Sequence, residues 1–338
     1  MTDLNVRRLA TRWLLGAVIG TALIAGTSPL FVRSYLPMAI DPVRDVLVLP
    51  TGADYRWRSE GYANTRIGPL GMPGKASIVD AKPGQSSPEP LRAALWGDSQ
   101  AEGVSVPDDW KLFAQIERSS GGKLQVFPLA RSGDSASDWV KQIPSVESEL
   151  AIDMHIILIA DLPDLLVSDD PSAESNTNQR ITKLPAFVIQ AARNLITDSD
   201  SGEIRKLRFS VGPTESSSGQ ASRRWIPVSS EDWIKSIARI RDASDKPIWI
   251  LYIPPSPQVA DGRTNFDDSA AATFGAIRRI AEDRDVRAIN CHSALCESAR
   301  AGKWPHGFQN GQIGQGHLNA TGYSVVAQVL LDAIESEN

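Results

Sequence analysis

The stretch Leu91-Arg92-Ala93-Ala94-Leu95-Trp96-Gly97-Asp98-Ser99-Gln100 decides how the fold is read. Residues 91–96 form a short apolar run closed by a glycine, the pattern of a buried strand. A serine follows on a tight turn. Working outward, strand and helix signals alternate to the end of the chain. Residues 107–119 read as a helix, opened by Pro107, Asp108 and Asp109, since acidic side chains suit a helix N-terminus. Residues 124–130 and 154–160 read as strands, with a helix over 135–150 between them that Pro144 is expected to kink or split. Residues 184–196 have helical periodicity, and 231–241, 269–283 and 321–334 read as further helices. Residues 247–253 are the clearest strand, 286–290 a short one, and 76–90, 168–182 and 213–224 are loop-like. Continuously apolar strands alternating with helices imply a parallel sheet covered on both faces. Ligands of such sheets bind beyond the carboxyl ends of the strands, which directs attention to the residues just after each strand.

Composition agrees and excludes several classes. The 338 residues are 42% apolar and 22% charged, a globular balance that allows one large domain or two small ones. A net charge of −5 with no basic stripe argues against nucleic-acid binding. Two cysteines cannot build a zinc ribbon or an iron–sulfur cluster. No cofactor is expected.

The first tenth of the chain stands apart. Residues 13–32 contain no charge, with Arg7, Arg8 and Arg12 before them and Arg33 after. About 20 apolar residues span a bilayer as a helix. The arginine bias favours a cytoplasmic N-terminus, residues 1–12, with the rest of the chain outside as a single-pass, signal-anchored membrane protein. The alternatives are a signal peptide cleaved near Ala25-Gly26-Thr27-Ser28, giving a secreted protein, and a buried core helix. Residues 33–90 read as a lead-in segment and loop, with Tyr55, Trp57 and Tyr62, packed on a domain spanning 91–338. In an oxidising compartment Cys291 and Cys296 are candidates for a local disulfide; the alternative is a pair of free buried thiols. A metal site through His292 lacks further ligands at suitable spacing.

Near the C-terminus stands Gln315-Gly316-His317-Leu318-Asn319, on a loop before the last helix. Taken with Gly97-Asp98-Ser99 after the first core strand, it resembles the SGNH (GDSL-type) hydrolase superfamily over residues 91 to 336. That resemblance implies a three-layer α/β/α sandwich and a serine esterase or deacylase acting on acyl or acetyl esters. It also implies Ser99 as nucleophile, His317 as general base, and the backbone N–H groups of Ser99 and Gly133 as an oxyanion hole. The chemistry is coherent: a serine hydroxyl needs an adjacent base, and a glycine N–H can approach a substrate closely.

Two departures from the family pattern are visible. The usual oxyanion asparagine is replaced by Pro163, which has no N–H to donate, and the aspartate three residues before the histidine is replaced by Gly314. No acidic residue lies between Lys303 and His317, so a backbone carbonyl or a carboxylate from elsewhere must orient the imidazole. Asp161 and Asp164, after a neighbouring strand, are candidates, and Asp98 is read as support for the turn. Arg131 and Gln100 are candidates for binding a polar substrate, Trp96, Trp110 and Trp139 for stacking on a sugar, and His306 for approaching the site; core or surface roles compete with each. His155 reads as structural. The expected function is thus a membrane-anchored, exported esterase for acylated carbohydrate or another small ester. The alternatives are an acyltransferase, or a catalytically impaired domain that binds polysaccharide or assembles with partners.

Overall fold

The computed structural model describes residues 3–31, 34, 36–78, 89–168, 228–260 and 262–337. Among them, the centre is a sheet of five parallel strands. In chain order these are β5 (Leu91–Gly97), β6 (Leu124–Pro128), β7 (Met154–Ile159), β8 (Ile248–Tyr252) and β11 (Val286–Asn290), with a separate short antiparallel pair, β9 (Gln258–Ala260) and β10 (Arg263–Asn265), between the last two in sequence. They lie side by side in the order β6, β5, β7, β8, β11. The chain first steps one way from β5 and then returns to build outward on the other side. The strand order therefore reverses at β5 and β7, and a crevice opens beyond their carboxyl ends. Every residue of β7 and β8 is buried, as their unbroken apolar sequences require of strands covered on both faces.

Helices α4 (Ala136–Leu150), α5 (Ser230–Asp242) and α6 (Ala271–Glu282) cover one face, where Trp139, Ile143, Ile237 and Phe274 join Trp96 and Phe127 in one core. On the other face α3 (Leu112–Ser119), α7 (His292–Arg300) and α8 (Ala320–Glu337) bury Ile116, Leu295, Tyr323 and Val326 against Leu95 and Ile156. The α/β/α layering follows from the alternation in the sequence. Helix α4 opens with a capping box of Ser135 and Asp138 and runs through Pro144 without ending there. The expected helix over 107–119 is divided into a short turn, Asp108–Trp110, and α3. Lys111 between them is extended and buried, its ammonium donating to the carbonyls of Gly103 and Val106 and to Thr65 Oγ1. The helix expected over 184–196 and the loop over 213–224 lie outside the described residues, as do most of the loops over 76–90 and 168–182.

Ahead of the sheet, two antiparallel hairpins pair β1 (Ala39–Asp41) with β2 (Val46–Val48), and β3 (Asp54–Trp57) with β4 (Ala63–Arg66). They are bonded firmly to the domain. Buried Arg44 donates to the carbonyls of Leu70 and Leu129 and to Gln142 Oε1. Lys111 reaches Thr65 in β4.

Two expectations are corrected. The N-terminal segment is helical, α1 (Asp3–Phe31), but no helix among the described residues is long and apolar enough to cross a membrane. Arg8 and Arg12 lie within it, and Gly16, Gly20 and Thr21 interrupt its aliphatic side chains. The transmembrane anchor, and the single-pass location that rested on it, are corrected by that finding. Cys291 and Cys296 are free thiols rather than a disulfide. Cys291 precedes α7 and Cys296 lies within it; five residues along a helix set two side chains roughly 140° apart, so the thiols face different ways. Cys296 Sγ lies 3.2 Å from His292 Nε2, which donates to the Phe266 carbonyl at 2.7 Å.

Candidate active site

Ser99 is the first residue of the short helix α2 (Ser99–Glu102), at the carboxyl end of β5. The turn that presents it depends on Gly97, whose φ is +146°. A Cβ there would lie 2.4 Å from the Leu158 carbonyl oxygen and 2.6 Å from Ala101 Cβ, so no other residue fits. Asp98 caps the helix, its Oδ1 accepting the Gln100 N–H at 2.9 Å, and its Oδ2 stands 3.4 Å from Ser99 Oγ. Burial pushes the Asp98 carboxyl above its ordinary pKa.

His317 arrives from the loop before α8. The main chain holds that loop through Gly307 N–H to the His317 carbonyl, Gly314 N–H to the His306 carbonyl, and a bridge between His306 and Leu318. Gln100 adds a clasp from the serine's own helix: its Oε1 accepts the Leu318 N–H at 3.0 Å. His317 Nε2 thereby sits 3.0 Å from Ser99 Oγ. The two residues are separated by 218 positions and meet within one hydrogen bond.

The other imidazole nitrogen is held by Glu60. Its Oε2 accepts from His317 Nδ1 at 2.7 Å and its Oε1 from the His317 backbone N–H at 2.8 Å. Asp161 and Asp164, the expected candidates, do not fill this place. Asp161 is exposed and precedes the short turn Leu162–Leu165, and the Asp164 N–H bonds back to the Asp161 carbonyl. Glu60 lies in the turn of the β3–β4 hairpin. There Asn310 Oδ1 accepts the Gly61 N–H, Asn310 Nδ2 donates to the Ser59 and Gly61 carbonyls, and Trp57 Nε1 donates to the Glu60 carbonyl. Gly316 makes the approach possible: a Cβ there would fall 1.9 Å from Glu60 Oε1.

The electrostatics follow from this contact. Burial lowers the His317 pKa, but the Glu60 hydrogen bond and charge outweigh it and hold the imidazole above its ordinary value. Burial raises the Glu60 pKa, and the His317 bonds overcome that and hold its carboxyl below the usual range. A carboxylate on Nδ1 fixes the tautomer in which Nε2 is an acceptor, the form that can take a proton from Ser99.

A cavity of about 570 Å³ opens beside Ser99, bounded by His317, Ser132 and Gly133 and by residues of the two hairpins. Gly133 lies in the turn after β6 that the Asp134 N–H closes on the Arg131 carbonyl at 3.1 Å. Arg131 is occupied: it makes two bonds to Asp134, at 2.6 and 3.0 Å, and one to the Leu47 carbonyl at 2.5 Å. Glu102, one turn beyond Ser99, also lines the cavity, and burial pushes its carboxyl up to about 7. Trp96 and Trp139 are buried in the core, whereas Trp110 is half-exposed beneath the Arg118 guanidinium. Neither core indole is a sugar-stacking surface. Buried His306 shapes the loop and is pushed down to about 4 by desolvation. His155 is buried in the sheet, between the Trp96 indole N–H and the Glu147 carboxylate. Pro163 lies in the turn after β7 and supplies no N–H.

Glu60 is the residue that sequence reasoning missed. It stands 257 positions from His317, on a segment ahead of the first core strand, and no spacing connects the two. The available signal was indirect: the missing aspartate required a carboxylate from elsewhere, and Glu60-Gly61 sits among turn residues and aromatics.

The fold and this geometry define a class: a parallel α/β domain carrying a serine, a histidine and a carboxylate in hydrogen-bonded series at the switch point of its sheet. The two motifs that carry the SGNH resemblance meet at that place. No family model and no curated protein matches the chain. Solved structures of similar shape include an acetyl xylan esterase, at 12% identity over 72% of this chain and 100% of the other with a TM-score of 0.40. A carbohydrate acetylesterase from Sinorhizobium meliloti has 10% identity over 73% and 100%, with a TM-score of 0.41. An α/β hydrolase from a Lake Arreo metagenome has 15% identity over 73% and 96%, with a TM-score of 0.39.

Proposed function

We propose that the protein is a serine hydrolase of carboxylic acyl esters. The observation that carries this reading is the unbroken series Glu60–His317–Ser99, with contacts of 2.7 and 3.0 Å. In this reading Ser99 Oγ attacks the ester carbonyl carbon while His317 Nε2 takes its proton. Glu60 holds the Nδ1–H and stabilises the imidazolium that forms. The backbone N–H groups of Ser99 and Gly133 receive the oxyanion. The tetrahedral intermediate collapses, the alcohol leaves with the proton from Nε2, and Ser99 carries the acyl group. Water, deprotonated by His317, then releases the carboxylic acid. With Pro163 in place of a donor, the oxyanion is held by fewer groups, and the loss of one donor costs about 10²–10³ in rate. Acylated carbohydrate is the first alcohol class to assay. Acyl transfer differs only in that an acceptor hydroxyl replaces water in the second half.

A fluorophosphonate probe tests the reading. It should label the wild type once per chain, on the peptide containing Ser99, and should not label Ser99→Ala. Absence of labelling together with absence of turnover of short p-nitrophenyl esters would instead favour the impaired, polysaccharide-binding alternative.

A further inference from the structure

The steps assigned to Ser99, His317 and Glu60 leave one titratable group beside the nucleophile without a part, Glu102. It closes the single turn of α2 that Ser99 opens, and its carboxyl accepts the Ser132 backbone N–H. Ser132 precedes Gly133, the proposed second oxyanion donor. A carboxyl on the serine's own helix is thus bonded to the turn that carries that donor, and both line the cavity beside Ser99.

The two ends of this bond are held differently. Helix α2 is fixed from several sides. Tyr323 Oη donates to the Gln100 carbonyl at 2.7 Å, and Lys111 Nζ to the carbonyl of Gly103, the residue after Glu102, at 2.6 Å. The Glu102 N–H bonds the Asp98 carbonyl at 3.0 Å. The 131–134 turn has less to hold it. Ser132 and Gly133 are exposed, Gly133 has a φ of +87°, and nothing lies within 4 Å of where its Cβ would be. The Arg131 side chain anchors the ends of the turn to Asp134 and to the Leu47 carbonyl, but those bonds do not refer it to Ser99. An exposed N–H that must meet a developing oxyanion has to be placed closely, since an error near 1 Å costs about 10²-fold. Burying a carboxyl is a cost to the fold, and a cost borne beside a nucleophile points to a role in the site.

We propose that Glu102 is a positioning residue for the oxyanion hole: by accepting the Ser132 N–H it sets where Gly133 stands relative to Ser99. The proposal rests on the serine-hydrolase reading and deepens it. The acting feature is the acceptor oxygen rather than the negative charge, which Lys111 offsets.

Two neutral variants of similar length separate the acceptor from the charge. Glu102→Gln keeps an amide oxygen and Glu102→Met does not. Both remove the charge that Glu102 exerts on His317, so the difference between them reports the acceptor. With p-nitrophenyl acetate, Glu102→Met should lower kcat by about 10²-fold with KM within about threefold, and Glu102→Gln should recover at least about tenfold of that loss. The Ki of a trifluoromethyl ketone, whose adduct with the serine carries an oxyanion, should rise by the factor by which kcat/KM falls. Hydrogen exchange supplies a readout that needs no turnover. Amides of residues 131–134 should exchange faster in Glu102→Met than in Glu102→Gln, while β7 and β8 stay protected in both. If Glu102→Met loses protection in β7 and β8, Glu102→Leu takes its place. Equal kcat in the two neutral variants of an active, probe-labelled enzyme, a loss confined to KM, or equal exchange at 131–134 would overturn the positioning role and leave the hydrolase reading intact. Failure of the wild type both to label and to turn over any ester would overturn the hydrolase reading, and the positioning role with it.

Discussion

Glu60 grips His317 twice, through the imidazole Nδ1 at 2.7 Å and through the backbone N–H at 2.8 Å. One carboxylate thereby fixes both where the histidine loop lies and which ring nitrogen faces Ser99. The position three residues before the histidine, where an acid is expected, holds Gly314 instead; its φ is +77° and it packs against Val259. The task has passed to a hairpin that precedes the sheet in sequence and reaches it through side-chain bonds.

Replacing Glu60 tests this arrangement. Glu60→Gln should lower kcat by about 10²–10⁴, because the imidazolium loses its counter-charge and the tautomer is no longer enforced. The pH profile supplies the sign. The proposed mechanism requires neutral His317, whose pKa Glu60 raises, so wild-type activity should climb with pH through a value above about 6.5. In Glu60→Gln that acid limb should move to lower pH. A limb that stays in place would detach Glu60 from the histidine's titration.

Asn310 is a positioning residue for the same carboxylate. Its side chain bonds Ser59 and Gly61, on either side of Glu60, and touches neither His317 nor Ser99 in the bonds of the described residues. Asn310→Ala should lower kcat by about tenfold while leaving the rate of phosphonate labelling more affected than KM, with Asn310→Asp restoring only the acceptor half of the clamp. Steady-state kinetics on the three proteins separate these effects.

Gly316→Ala should be more severe than an exposed-loop substitution. The added Cβ would lie 1.9 Å from Glu60 Oε1 at a φ of +79°, so either the carboxylate or the histidine loop must shift. The expected result is loss of at least about 10²-fold in activity, as a misplacement near 1 Å costs. Melting temperature should fall by only a few degrees. Full activity would mean the loop accommodates the methyl group without moving His317.

Glu102 makes a prediction about stability. Burial raises its carboxyl from 4.5 to about 7, opposed by the Lys111 charge and the Ser132 N–H. The unfolded chain ionises the group at the lower value. Near pH 4 it is neutral in both states and costs nothing; as pH rises through the window from 4.5 to about 7 the penalty grows, and above that it is fully present. Glu102→Gln should therefore raise the melting temperature by a few degrees at pH 8 and leave it unchanged at pH 4. Scanning calorimetry at the two values decides it; an equal shift at both would remove the titration from the explanation.

The parallel sheet and two of the three residues in series are legible in the sequence alone. Its strands are unbroken apolar runs, its helices are periodic, and Gly97 and Ser99 stand next to each other, so local pattern is enough to place a serine at a strand end. The histidine was legible because its motif is local too. Three things were decided only in three dimensions. The orienting carboxylate comes from a turn 257 residues away, joined by hydrogen bonds that leave no periodic trace. One side of the cavity beside Ser99 is assembled from hairpin residues that in sequence look like an ordinary lead-in. The cysteines, five apart and apt for a short staple on paper, are turned away from each other by the helix that begins between them. Local periodicity records which face of an element is buried, whereas the contact between a hairpin turn and a distant loop depends on how separate elements pack, and that information is spread across the whole core.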